Sequence, residues 1–159
     1  LASLSFVHPT AGRRSTKQSQ LIKGELTDTN ALSTAVSQAA VVVSLLGPNT
    51  MRGFNPDTYS DFYKSLFQQM RTYNVRRIFA MSTLSYPVPE DSFSLKRLLL
   101  VGLVRTVVPL AYQTVFRICQ AFLEHADGLD WTVYRIAGIP GGSDEASWRA
   151  DREDGEAFE

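Results

Sequence analysis

From residue 58 onward, large apolar side chains recur at Tyr59, Phe62, Tyr63, Leu66, Phe67, Met70 and Tyr73. That is the i, i+3, i+4, i+7 rhythm of one broad helix face. Burying each such side chain is worth roughly 1.5–3 kcal/mol, so this face is expected to dock on another layer as core. The preceding pattern is different. Residues 40–46 form a nearly continuous, valine-rich apolar run that stops at Gly47 and Pro48. Such a run predicts a central parallel strand, buried on both faces.

The same alternation continues on both sides. Residues 5–8 and 20–22 predict two short strands, the first stopped by Pro9 and a basic stretch, the second closing on Gly24. Asp28 is placed to cap a helix whose Leu32, Ala35, Val36 and Ala39 share one face. Residues 77–81 predict a strand ending at Ser82 and Thr83. A further helix is carried by Val115, Phe116, Cys119, Phe122, Leu123 and Ala126, stopping near Asp127 and Gly128, and residues 131–136 predict the last strand. Strands alternating with helices of this length are the mark of an α/β domain with a parallel sheet and flanking helices. The domain is expected over residues 1–142. Residues 143–159 are acidic, polar and aperiodic, and are expected to begin a loop.

The 159-residue length suits one domain. Sixteen basic and sixteen acidic residues cancel, so no global field draws the chain to nucleic acid or to an anionic membrane. Cys119 is the single cysteine, which excludes an internal disulfide and fits a reducing, cytoplasmic setting. It lies on the apolar side of its helix and reads as a core thiol. Cys119, His8 and His125 do not make a zinc-ligand cluster, and no metal is expected. The most apolar stretch, residues 98–110, is broken by Arg105 and Pro109 and is short of the about 20 apolar residues a bilayer span needs. It reads as a buried helix or a lid over a pocket, without stable membrane insertion. The chain opens at Leu1 in an apolar run with no basic segment before it, and this start reads as a cut edge.

Candidate chemistry follows from the sheet. Ligands of an open parallel sheet bind at the carboxyl ends of its strands. Those ends are His8 with Pro9, Gly47 with Pro48, Ser82 with Thr83, and residues 136–138. Gly47 lets backbone approach a ligand and Pro48 stiffens the loop, although the pair also reads as turn punctuation. Ser82 and Thr83 can hydrogen-bond a ribose or a substrate carbonyl, or can simply cap the strand end.

Four segments, taken in order, resemble the atypical short-chain dehydrogenase/reductase superfamily, in the NAD(P)-binding group that includes NmrA-like regulators and flavin- or biliverdin-reductase-like enzymes. They are KGELTD at residues 23–28, VVVSLLGPN at 41–49, VRRIFAMSTLS at 75–85 and GLDWTVYRIAGI at 128–139. The resemblance implies a Rossmann-like parallel sheet, NAD or NADP as cofactor, and an NAD(P)H-dependent oxidoreductase acting on a small organic substrate. It equally allows a non-catalytic, NmrA-like sensor of NAD(P) that engages a protein partner. By the same resemblance Glu25 and Leu26 lie against the adenine, and Gly47 and Pro48 pass the ribose-phosphate. Ser82 and Thr83 face the nicotinamide, with Arg135 and Ile136 toward the substrate. His8 stands where NADP-preferring members carry Arg, and Arg13 and Arg14 either meet a 2′-phosphate or form a solvated loop.

This sequence departs from the family in three ways. Glu25 replaces the usual Asp. The superfamily's Tyr–Lys pair, in which Lys four residues on lowers the phenol's pKa, is absent: Phe116 follows Tyr112 at that spacing, and Tyr86 has no such Lys either. Tyr112 is the remaining candidate beside Ser82 and Thr83 for proton chemistry. The glycine-rich loop that holds the pyrophosphate at a helix N-terminus occurs nowhere in these residues. The resemblance therefore identifies a fragment without the fold's first strand, incomplete also at its C-terminus. Its dinucleotide binding is expected to be impaired and its exposed sheet edges prone to aggregation.

Overall fold

The computed structural model describes residues 3–6, 20–48, 53–83, 85–87, 91 and 93–136. Along the chain these form β1 (Ser3–Phe6), β2 (Gln20–Lys23), α1 (Thr29–Ser37), β3 (Val41–Ser44), α2 (Pro56–Thr72), β4 (Arg77–Thr83), α3 (Leu95–Val107), α4 (Pro109–His125) and β5 (Asp130–Ile136).

Local chemistry sets the helix ends. Asp28 Oδ1 accepts from the N–H groups of Asn30 and Ala31 at 3.1 and 2.9 Å, which starts α1 where the sequence placed it. Asn55 caps α2 by accepting from the Asp57 N–H at 3.0 Å, and Pro56 fills the first turn, where no donor is needed. At the other end Asn74 adopts a φ of 56°. The Val75 N–H then returns to Met70 O at 2.8 Å and the Asn74 N–H to Arg71 O at 3.3 Å, a Schellman closure. Arg71 donates from that end to the carbonyls of His125 and Asp127, at 2.5 and 3.0 Å, fixing where α4 stops.

β3, β4 and β5 form a parallel sheet in that order. Its core face carries Val42, Ile78, Ala80 and the half-buried Val133, covered by α2 and α4, with α1 beside α2. Tyr59, Phe62, Tyr63, Leu66, Phe67 and Met70 are all buried in this cluster. Phe122 of α4 meets Phe67 edge-on at 4.8 Å, with the Tyr63 ring 5.1 Å away. The aromatic stripe is thus core. Tyr73, Phe116 and Leu123 are the exceptions; each is exposed at the rim of its helix.

Three expectations are corrected. The parallel order extends over β3, β4 and β5, whereas β1 and β2 pair antiparallel in a separate ribbon. The run at residues 40–46 is not buried on both faces: Val41 and Val43 point away from the helices and Val43 is 63% exposed. The physical reason is that α2 and α4 lie on one side of the sheet, and β3 has no strand on its outer edge among the described residues. Finally, the apolar stretch at 98–110 is not one buried helix. Pro109 begins α4, and α3 buries none of its residues.

Candidate functional site

Parallel pairing places the carboxyl ends of β3, β4 and β5 on one edge. There the register sets Ser82 beside Arg135 and Thr83 beside Ile136, and the chain leaves β3 through Gly47 and Pro48. Six of the sequence-predicted positions therefore share this edge. Glu25 and Leu26 lie in the turn between β2 and α1, where Glu25 is exposed and Leu26 packs against the core. His8, Arg13 and Arg14, like residues 137–159, lie outside the described residues.

The loop after β3 is held from beneath. The Ser44 and Tyr63 hydroxyls are 2.7 Å apart in the core, and Ser44 Oγ also accepts from the Leu46 N–H at 3.4 Å. Burial pushes the Tyr63 phenol up to about 12, against the smaller downward pull of its Ser44 bond. Beyond this anchor, a Cβ built on Gly47 would meet nothing within 4 Å among the described residues.

Ser82 and Thr83 separate by the two-residue alternation of a strand. Ser82 is buried and its hydroxyl faces Cys119 Sγ of α4 at 3.3 Å. Burial pushes the Cys119 thiol up, opposed by the Ser82 bond and by the charge of Arg135, so it stays protonated at neutral pH. Thr83 is exposed on the opposite face, its Oγ1 accepting from the Ser85 N–H at 3.4 Å. Of the pair, Thr83 is the one a ligand can reach.

Arg135 is drawn into a cluster that sequence spacing does not reveal. Its guanidinium contacts Asp91 at 2.6 Å and the Tyr86 carbonyl at 3.4 Å, and the other Asp91 oxygen takes Arg97 at 2.6 Å. Asp91 is distant from Arg135 in the chain, and no motif marks it. The Tyr86 ring packs at a tilt of 55° against Phe116, with centroids 5.2 Å apart, and burial raises its phenol above the ordinary value. Tyr134 is raised for the same reason. These shifts run opposite to what an acid–base tyrosine needs. Tyr112 lies two turns before Cys119 on α4, its ring 6.0 Å from the Arg105 guanidinium. The described residues do not bring it to Ser82 or Thr83.

Among the described residues the edge thus offers the backbone at Gly47 and Pro48, the Thr83 hydroxyl and the apolar Ile136. Among the described residues, no group of His, Cys, Asp or Glu could hold a metal ion.

Comparisons with known proteins bear on the family and the fold. Residues 7–158 match the family described as NAD(P)H-binding. No curated protein matches the chain. Among solved structures, it resembles a wide-type short-chain dehydrogenase/reductase from Veillonella parvula DSM 2008 in complex with NADP, at 18% identity and a TM-score of 0.52, covering 76% of this chain and 48% of that one. An ethylated short-chain dehydrogenase/reductase from the same organism matches at 20% identity and a TM-score of 0.48, covering 72% and 44%. The chain therefore spans about half the length of these structures.

Proposed function

The chain belongs to the NAD(P)H-binding family, and from that membership we propose that it is the nucleotide-binding part of an NAD(P)H-dependent oxidoreductase acting on a small organic substrate. The observation that carries this reading is the gathering of Gly47, Pro48, Thr83 and Ile136 at the carboxyl edge of a parallel sheet. Gly47 and Pro48 run beside the ribose-phosphate and Thr83 donates to the nicotinamide ribose. Ile136 walls the ring, while Arg135, held by Asp91, keeps the end of β5 in place. Glu25 and Leu26 meet the adenine, and His8 and Arg13 belong to the same proposal at the 2′-position. When bound, the nicotinamide supplies the hydride chemistry.

Binding is expected to be weak, near ~1 mM or about −4 kcal/mol, because pyrophosphate recognition by a glycine-rich turn is missing from the sequence. Titrating isotope-labelled chain with NADPH is expected to shift the amides of Gly47, Thr83 and Ile136 and to leave α1 and the α2 C-terminus unmoved. Shifts confined to other regions overturn the site. Micromolar affinity by calorimetry overturns the impairment alone.

The absence of a Tyr–Lys pair favours a second reading, a non-catalytic sensor whose nucleotide occupancy changes its affinity for a protein partner. NADPH oxidation with quinone or flavin acceptors supports the oxidoreductase. A partner pull-down that depends on NAD versus NADP, with no turnover, supports the sensor.

A further inference from the structure

The stretch expected to be buried is the most exposed apolar element of the fold. Phe93, Leu95, Leu98, Leu99, Leu100, Leu103 and Val107 are all at least 55% exposed. Only the row Arg97, Val101, Val104 and Val108 is half-buried, and Arg97 secures that row through Asp91. At 3.6 residues per turn, Leu95, Leu99 and Leu103 fall on the opposite, outward side. Lys96 and Arg105 fall on its two flanks, and both are exposed.

Charge decides what such a face meets. From residue 92 to residue 123 the sequence has no Asp or Glu, while Lys96, Arg97, Arg105 and Arg117 are cationic. A second copy of α3 would bring like charges to Lys96 and Arg105 and offer no acidic side chain in return. An anionic lipid surface answers both the leucines and the flanking cations. The α3–α4 pair together has the length and apolar composition of a membrane span, but it is bent by 112° at the break before Pro109. Among the described residues, no single helix is long and apolar enough to cross. Both ends of α3 return to the domain, Arg97 at one and α4 at the other.

We propose that α3 is a membrane-surface helix, lying in the headgroup region of an anionic bilayer with Leu95, Leu99 and Leu103 inserted and Lys96 and Arg105 on phosphate. This rests on the exposure and charge of α3, independently of the cofactor reading.

The test is flotation of the 159-residue chain with vesicles of phosphatidylcholine alone or mixed with phosphatidylglycerol. Flotation separates vesicle-bound protein from aggregate, which sediments. The chain is expected to float with the anionic vesicles and to be released by salt. Joint replacement Lys96→Glu and Arg105→Glu is expected to weaken binding at least ~10-fold, each cation contributing about fivefold. Leu99→Glu with Leu103→Glu should abolish flotation while preserving the far-ultraviolet dichroism, since neither side chain is in the core. Failure to float, equal flotation on neutral vesicles, or indifference to both pairs of changes overturns the proposal. So does a sedimentation-defined dimer that the leucine changes dissolve while vesicles stay unbound, because a second copy then covers α3.

Discussion

The Arg135 guanidinium lies 2.6 Å from the Asp91 carboxylate, which ties the carboxyl end of β5 to the segment leading into α3. Asp91 also holds Arg97, and its side chain is only 9% exposed. Removing Asp91 takes from so enclosed a cluster the carboxylate that both guanidiniums contact, which costs more than breaking an exposed pair would. Asp91→Ala is expected to lower unfolding free energy by roughly 2–4 kcal/mol, read from urea midpoints. Hydrogen exchange should quicken first in α3. A loss too small to resolve would mean that the cluster is solvated in solution.

Gly24 closes the turn before α1, where a Cβ would come 2.7 Å from Ala31 Cβ. Both atoms are fixed to backbone, so neither can rotate away. Gly24→Ala is therefore expected to shift the turn and destabilise the chain by roughly 1–3 kcal/mol. Gly47→Ala, whose Cβ would meet nothing within 4 Å among the described residues, is the matched control and should be nearly neutral to folding. Thermal melts of the two variants compare them directly.

These positions also show what could be read from sequence. The Asp28 cap, the aromatic face of α2 and the strands at β4 and β5 were legible because short-range periodicity and capping decide them. The carboxyl-edge placement of Gly47, Ser82, Thr83 and Ile136 followed from where the apolar runs end, whereas Arg135 came with the family resemblance. Asp91 was not legible, since an ion pair between distant residues leaves no spacing signal. Burial misled at β3 and α3. Val43 and Leu99 look like core in sequence, yet hydrophobicity alone does not say whether a covering layer exists. The antiparallel pairing of β1 with β2 was hidden for a related reason: short strands carry no signal of direction.

Cys119 is packed among core residues and held as a thiol by desolvation. Ellman's reagent at pH 8 should label it at least ~100-fold more slowly in the native chain than in urea, because the thiolate is the reactive form. Cys119→Ala should cost about 1 kcal/mol by leaving Ser82 Oγ, buried and bonded only to that sulfur, without a partner. Rapid native labelling would show that α4 moves off β4.

Tyr63 makes the fold sensitive to alkali in a calculable direction. Its phenol is fully buried against Ser44 and titrates near 12 in the folded chain, above its ordinary value of 10.0, because desolvation outweighs the Ser44 bond. A raised folded-state pKa means that the native chain keeps this proton while the unfolded chain loses it. The contribution is whole below pH 10 and is lost as pH climbs toward 12, with a limit of roughly 2–3 kcal/mol. Tyr63→Phe removes the titration but leaves Ser44 with only the long bond from Leu46, at a cost of roughly 1 kcal/mol near neutrality. The two stability profiles should therefore converge between pH 10 and 11 as the native tyrosine loses its advantage. Tyr86 and Tyr134, whose phenols are also raised, titrate in both proteins and drop out of the difference. Urea midpoints measured in parallel from pH 7 upward check this, and parallel profiles would show that the Tyr63 hydroxyl reaches water in solution.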